Sequence, residues 1–249
     1  MTALLRTDGI SKTYGGVQAL NGSSIEVADG SVAGLIGPNG SGKTTLFNVI
    51  TGYERPDAGH VFLGDREITN WRPDKVFAAG IGRTFQLTRI FPRLTVEENM
   101  LVAAQHKKGH GGVRRRALEL LEFVGLERHA GLPAGSLSYG QRKLLELAYV
   151  LIADPAVILL DEPAGGVNPT LVNQIADRIR DLNTEGRTFL IVEHNMEFVM
   201  GLCDTVTVLQ AGAVAACGPP ELIRSNRRVL DAYLGADLED DAEESADAS

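Results

Sequence analysis

The segment at 37–44 constrains the fold of this chain more than any other feature. It reads Gly-Pro-Asn-Gly-Ser-Gly-Lys-Thr and fits G-x-x-x-x-G-K-[ST], the pattern of a phosphate-binding loop. The apolar run Val32 to Ile36 before it is typical of a buried strand, and Thr45 to Ile50 is typical of the helix that follows. Glycines let backbone N–H groups turn toward a phosphate, and the helix directs its positive end at the same anion. The pattern predicts a nucleoside triphosphate with Mg²⁺ as the ligand.

Different residues of the loop are predicted to contact the phosphates and Mg²⁺. Lys43 reaches the β- and γ-phosphates, and the Thr44 hydroxyl ligates Mg²⁺. The predicted nucleotide-binding residues of this segment are Gly37, Pro38, Asn39, Gly40, Ser41, Gly42, Lys43, Thr44 and Thr45.

Length and hydropathy limit the class of protein. A chain of 249 residues, 44% of them hydrophobic, can hold one large α/β domain or two small ones. The longest apolar stretches, such as 144–153 and 156–160, are interrupted by charge or proline well before they could cross a membrane. Arg6 and Asp8 interrupt any signal-peptide pattern. We therefore expect action at a membrane only through partner subunits.

The net charge of −8 is unevenly distributed. Seven acidic residues and no Lys or Arg lie in 235–249, so residues 1–234 carry a net charge of only −1. This composition predicts a disordered acidic tail on a nearly neutral body, without the basic face that nucleic-acid binding needs. One basic, Gly-rich cluster lies at 107–116. It is interpreted as a solvated surface loop, with contact to lipid headgroups or a membrane partner as the alternative.

The second half of the chain alternates predicted strands and helices, which is typical of a parallel sheet with crossover helices. Before it, a helical middle reads as an inserted subdomain, with amphipathic spacing at Val96–Gln105, Arg114–Val124 and Ser138–Ala153. The alternating elements are Val157–Leu160, Thr170–Leu182, Thr188–Glu193, Asn195–Gly201 and Thr205–Gln210.

Two carboxylates follow the apolar run Val157–Leu160, at the strand end where parallel sheets bind ligands. Asp161 is placed to hold Mg²⁺, directly or through water, and Glu162 to activate the attacking water as general base. Alone, the pair would also fit an exposed strand end. Beside a phosphate-binding loop, the catalytic interpretation is favoured.

A second anion-binding helix end is predicted at 137–141. Ser138 and Gly140 stand at the start of a long helix, and such an end suits a γ-phosphate. An ordinary Ser N-cap is the alternative. One nucleotide cannot readily use two helix ends on opposite faces, so we expect the helix of a second chain to cap the nucleotide of the first.

With these motifs in this order, residues 4–234 resemble the ATP-binding cassette (ABC) ATPases. The segment 137–141 resembles the family signature, with Tyr139 where Gly is usual. Segment 163–169 resembles the D-loop, with Asn168 where Asp is commoner.

The resemblance also implies roles for single residues. Gln86 resembles the Q-loop glutamine, His194 the switch histidine that contacts the γ-phosphate, and Tyr14 the aromatic that stacks on adenine. The implied catalytic residues are Glu162, His194, Lys43 and Gln86. The implied Mg²⁺ ligands are Thr44, Gln86 and Asp161. The nucleotide-binding set gains Tyr14, Ser138, Gly140 and Gln141.

The implied fold is α/β. It has a P-loop NTPase core with a mostly parallel sheet, an N-terminal antiparallel β subdomain and an inserted helical subdomain. The ABC ATPase domain would span 1–234, with its core at about 1–85 and 155–234 and its helical subdomain at about 86–154, followed by the tail 235–249.

Segments 83–91, 94–99, 161–169, 193–196 and 232–235 further resemble the ATP-binding subunits of branched-chain amino acid importers. That branch implies ATP and Mg²⁺, transmembrane permease subunits, an identical or homologous second cassette, and indirectly a substrate-binding protein. The expected location is the cytoplasmic face of the membrane. An amide, urea or another amino acid as substrate, an exporter subunit, a soluble non-transport ABC ATPase and a non-hydrolysing cassette remain alternatives at this point.

Overall fold

The computed structural model describes residues 2–85, 90–104 and 110–226. The predictions for Gln86, for residues 107–109 of the basic cluster and for the tail 235–249 therefore lie outside the described residues. The rest of the basic cluster, 110–116, lies in the helix His110–Phe123, so the predicted surface loop is wrong there. In the described part of the chain, no helix is long and apolar enough to cross a membrane.

A four-stranded antiparallel sheet is formed by the N-terminal region, in the order β2-β1-β4-β5. The first two strands make a hairpin whose turn, Gly15-Gly16, has positive φ at both residues. They are long strands of 12 residues each. The strands are β1 (Ala3–Tyr14), β2 (Val17–Ala28), β4 (Ala58–Leu63) and β5 (Arg66–Glu67).

The second sheet has six strands in the order β10-β9-β3-β8-β7-β6. Every neighbouring pair from β9 to β6 is parallel, and only β10 at the edge is antiparallel. This confirms the predicted mostly parallel sheet. The strands are β3 (Val32–Ile36), β6 (Ile81–Arg83), β7 (Val157–Asp161), β8 (Thr188–Val192), β9 (Thr205–Gln210) and β10 (Ala213–Gly218).

Helices pack around this sheet, and three of them lie in the chain between β6 and β7, as expected for a helical insertion. The sequence pattern did not predict β5, β6, β10, or the short second and eighth helices. The helices are α1 (Lys43–Ile50), α2 (Pro73–Ala78), α3 (Val96–Ala103), α4 (His110–Phe123), α5 (Tyr139–Leu151), α6 (Pro169–Thr184), α7 (Met196–Leu202) and α8 (Pro220–Arg224).

The parallel sheet is buried on both faces, which explains why β3, β7 and β8 are buried along their whole length and consist mostly of apolar residues. Successive side chains of a strand point to opposite faces. Accordingly, Ile158 and Leu160 join the helices α3–α7 in one core cluster. Val157 and Leu159 join α1 and the antiparallel sheet in another. This arrangement brings the carboxyl ends of β3, β6, β7 and β8 to one edge of the sheet.

Candidate functional site

The segment 37–44 connects β3 to α1 in a turn that requires glycine. Gly42 is the residue before α1 and has a left-handed backbone, with φ of 104°. A Cβ atom on Gly37 would lie 2.1 Å from the carbonyl oxygen of Leu209. No side chain caps α1, so the N–H groups of its first turn remain available to an anion.

Lys43 is held in place by the loop itself. Its side chain is buried, and Nζ donates hydrogen bonds to the carbonyl oxygens of Gly37 at 2.7 Å and Pro38 at 2.9 Å. Burial lowers the pKa of Lys43, while the nearby carboxylates of Glu162 and Asp161 act in the opposite direction. The loop thus positions a cation beside two carboxylates.

Tyr14 is the last residue of β1 and keeps 42% of its surface exposed. Burial raises the pKa of its hydroxyl, and the charge of Glu54 adds to that rise. The Thr45 side chain acts in the opposite direction, which places Tyr14 close to the first turn of α1. An exposed ring in that place is available for stacking on a base.

Glu162 and His194 meet where β7 and β8 end. His194 Nε2 and Glu162 Oε1 are 2.9 Å apart. Glu162 has a left-handed backbone with φ of 49°, which is unusual for a residue other than glycine. Its backbone N–H donates to Val192 at 2.9 Å, and Lys143 Nζ donates to its carbonyl oxygen. Strained backbones of this kind persist where the surroundings hold them, often at functional sites.

Asp161, by contrast, is buried. Its Oδ2 atom accepts a hydrogen bond from Arg83 Nη2 at 2.8 Å, and both side chains are less than a tenth exposed. The sequence analysis did not identify Arg83 as a site residue. Its partner lies 78 positions away, and only the pairing of β6 with β7 brings the two together.

Glu193 is a second residue that the sequence analysis missed. Its side chain is buried, Oε1 accepts from the N–H of Ala164, and Oε2 accepts from His194 at 3.0 Å and Asn195 at 3.2 Å. It therefore ties the segment after Glu162 to the segment of His194. The available signal was a carboxylate directly after the mostly apolar strand β8.

Ser138 and Gln141 form a capping box at the start of α5, in which each side chain bonds the backbone N–H of the other. Gly140 packs so closely on Leu171 that a Cβ atom would lie 1.9 Å from that side chain. In the described part of the chain, no hydrogen bond joins Ser138 or Gln141 to the phosphate-binding loop. They line a separate cavity of about 550 Å³ together with Asn168 and Arg178. The structure therefore does not join the two predicted nucleotide-binding sets within one chain.

The predicted Mg²⁺ donors have suitable chemistry. Thr44 offers an exposed hydroxyl and Asp161 a carboxylate, and oxygen is the ligand atom that Mg²⁺ prefers. Among the described residues, no group of three or more His, Cys, Asp or Glu side chains could hold a metal by itself.

Comparison with known proteins now decides the family. The profile of the ABC transporter family matches residues 20–165. The chain belongs to this family. It is thus an ATP-binding cassette with ATPase activity. A second profile, described as branched-chain amino acid ATP-binding cassette transporter, matches residues 213–239.

Curated relatives match along nearly the whole chain. The high-affinity branched-chain amino acid transport ATP-binding protein LivG of Escherichia coli K12 is 38% identical over 250 residues, covering 93% of this chain and 98% of LivG. The probable LivG of Archaeoglobus fulgidus is 39% identical over 246 residues, covering 94% and 96%.

Solved structures show the same architecture. The ADP conformation of MJ1267, an ATP-binding cassette of an ABC transporter, superposes with a TM-score of 0.86 at 36% identity, covering 94% of this chain and all of that one. The cassette MJ0796, described as a dimeric post-hydrolysis state bound to ADP and Pi, has a TM-score of 0.78 at 26% identity, covering 87% and 98%.

Proposed function

We propose that this protein is the ATP-hydrolysing subunit of an importer for branched-chain or other small amino acids. The contact between Glu162 and His194, beside buried Lys43 and Asp161, is the observation that supports ATP hydrolysis at this site. The relatives described as branched-chain amino acid transport proteins support the substrate class. Amides and urea remain related substrates that the same site would energise equally well.

In the proposed reaction, the γ-phosphate lies between Lys43 and Glu162. Mg²⁺ bound with the triphosphate would be held by Thr44 and Asp161, with Gln86 as a further predicted ligand, and would neutralise charge on the β- and γ-phosphates. Glu162 accepts the proton of the attacking water, and His194 holds Glu162 Oε1 while steadying the γ-phosphate. Glu193 fixes the backbone on which His194 is presented.

We further propose that the working unit contains two cassettes, arranged head to tail. Ser138 and Gly140 of one subunit would face Gly37–Thr45 of the other, because within one chain these sets are separate. A solved relative described as dimeric supports the presence of a second cassette. ATP favours the closed pair, and hydrolysis removes the γ-phosphate contacts that bridge the subunits.

The permease subunits would dock in a groove of about 450 Å³ between α2 and the helices α3 and α5. The rings of Tyr53, Phe85 and Phe91 line it, and Tyr53 and Phe91 are about half exposed. Arg83 lines the groove and donates to Asp161, so a partner seated here lies close to the nucleotide site. In this proposal the protein acts peripherally, at the cytoplasmic face of the membrane, and a substrate-binding protein acts through the permease.

The substitution Glu162→Gln tests the hydrolytic assignment, because it keeps the shape of the side chain and removes the base. We expect ATP to bind normally, phosphate release to fall by a factor of about 10² or more, and an ATP-bound dimer to accumulate on size exclusion, either alone or with the partner cassette. Glu185→Gln, at the end of α6, is the control that should keep normal turnover. Normal turnover by Glu162→Gln would remove Glu162 from the role of base.

The substrate class is tested separately, by uptake of labelled leucine in cells whose chromosomal copy carries Glu162→Gln. Loss of leucine uptake with retained uptake of an unrelated sugar is expected. Unchanged leucine uptake would contradict the proposed substrate, whatever the ATPase assay shows.

A further inference from the structure

Arg83 is a buried cation that contacts Asp161 of the nucleotide site and two residues at the far end of α1. Nη2 donates to Asp161 Oδ2 at 2.8 Å. Nη1 donates to Asn48 Oδ1 at 2.7 Å and to Thr51 Oγ1 at 3.1 Å, at the far end of α1. The side chain is only 7% exposed. One guanidinium therefore links the strand that delivers Asp161 to the helix that begins with Lys43.

Aromatic rings fix the plane of this guanidinium. Its central carbon lies 5.4 Å from the ring centroid of Phe47, 6.0 Å from that of Tyr53 and 5.1 Å from that of Phe85. Cation–π attraction favours such positions, most strongly where water is excluded. Because a planar group held by rings and by two hydrogen-bonding arms has little freedom, its partner Asp161 is also held in one orientation.

The contacts on Asp161 are selective. Arg83 donates to Oδ2, and among the hydrogen bonds of the described residues none engages Oδ1, which is left for an ion or its water. Asp161 is also reached through the backbone, since its N–H donates to Thr84 Oγ1 at 3.1 Å. A buried carboxylate with one oxygen occupied and its backbone fixed is preorganised to present the other oxygen.

We propose that Arg83 is a positioning residue for Mg²⁺: it orients the Asp161 carboxylate and couples it to α1, without touching the nucleotide. This inference rests on the role proposed above for Asp161. A nearby cation also repels Mg²⁺, so loss of Arg83 has two opposite effects on Mg²⁺ affinity. Orientation dominates in this proposal, because the guanidinium is already neutralised by the carboxylate that it holds.

Mg²⁺-dependent nucleotide binding tests the proposal without turnover. In the full-length protein carrying Glu162→Gln, binding of a fluorescent ATP analogue is measured in EDTA and at increasing Mg²⁺. Arg83→Met keeps an unbranched apolar side chain among the rings and removes both hydrogen-bond donors, Nη1 and Nη2. We expect it to raise the Mg²⁺ concentration for half-maximal effect about tenfold, the equivalent of one charged hydrogen bond, and to change affinity in EDTA by less than about twofold. Arg83→Lys keeps the positive charge but lacks the planar guanidinium group. It should therefore recover only part of the lost Mg²⁺ affinity.

Three comparisons make the result decisive. Asp161→Asn must shift the Mg²⁺ dependence; if it does not, the proposed metal site fails and the inference fails with it. If Asp161→Asn shifts it while Arg83→Met leaves it unchanged or tightens it, only the inference is overturned. Full recovery by Arg83→Lys would overturn it too, since charge alone would then suffice.

A matched control comes from the opposite edge of the same sheet. Arg187 precedes β8 and pairs with Asp154, which lies before β7. Arg187→Met should lower thermal stability and leave the Mg²⁺ dependence unchanged; an equal shift would show a general structural effect and overturn the proposal. Should Arg83→Met fail to fold by circular dichroism, Asn48→Ala removes one of the two acceptors of Arg83 Nη1 and leaves Thr51 in place. It should raise the half-maximal Mg²⁺ concentration about threefold, and no shift there overturns the proposal.

Discussion

At the scale of single residues, the site is organised by carboxylates that bind backbone N–H groups as well as by those that face the nucleotide. Glu193 illustrates this. Both of its oxygens are used, one by Ala164 and the other by His194 and Asn195. Because the side chain is buried, an oxygen replaced by a nitrogen leaves at least one N–H group without an acceptor.

Glu193→Gln should therefore weaken both the fold and the reaction. We expect the free energy of unfolding to fall by about 1–3 kcal/mol in urea denaturation, the cost of an unsatisfied buried polar group. The rate of phosphate release should fall about tenfold, because Glu162 and His194 lose their alignment. Glu197→Gln, an exposed neighbour in the first turn of α7, is the control. Equal effects of the two substitutions would contradict the argument.

At the scale of the elements, two helices begin with the same device. Thr95 with Glu98 caps α3, and Ser138 with Gln141 caps α5, each with a complete capping box. Only the capping box of α5 is predicted to contact a nucleotide. The pair therefore separates the structural value of a cap from its role at the site.

Thr95→Ala and Ser138→Ala should cost similar stability, about 1 kcal/mol each, in thermal or urea denaturation. Ser138→Ala alone should weaken the ATP-dependent dimer, measured by sedimentation in the Glu162→Gln background, because it removes a donor to the partner's γ-phosphate. If Ser138→Ala lost the expected stability but dimerised with unchanged affinity, Ser138 would act only as the N-cap of α5.

Elements that are marked by a pattern within their own sequence could be predicted. β3 and β9 have the predicted bounds, since a continuous apolar run marks β3 and β-branched residues mark β9. β6 has only three residues and β10 lies at the edge of the sheet, so neither shows a clear hydrophobic periodicity in the sequence. The features of the site likewise divide into those that a local motif predicts and those that it does not. Lys43, Asp161 and Glu162 come from contiguous motifs, whereas the link from Arg83 to Asp161 depends on strand order, which no local pattern encodes.

At the scale of the whole molecule, the groove between α2 and the α3–α5 insertion joins the surface to the nucleotide site. Its rim is rigid where Phe91 is fixed by Asn99. The fully buried amide of Asn99 accepts from the N–H of Phe91 at 2.8 Å and donates to its carbonyl oxygen at 3.0 Å. Glu146 of α5 accepts from the N–H of Phe85 at 3.0 Å on the other side. Arg83 also lines the groove, so the proposed metal-positioning residue and the proposed permease surface share one side chain.

The substitution Phe91→Glu separates assembly from catalysis. The ring is 47% exposed, so the change should leave folding and the ATPase rate of the isolated cassettes unchanged. In the complete transporter, a carboxylate facing an apolar partner lacks a counter-charge, and we expect co-purification with the permease to fall about tenfold or more. Leu222→Glu is the matched control, since Leu222 is 62% exposed on α8, away from the groove. If both variants assembled normally, permease docking in this groove would be excluded. If Phe91→Glu also abolished the isolated ATPase activity, the rim would belong to the catalytic fold rather than to an assembly surface.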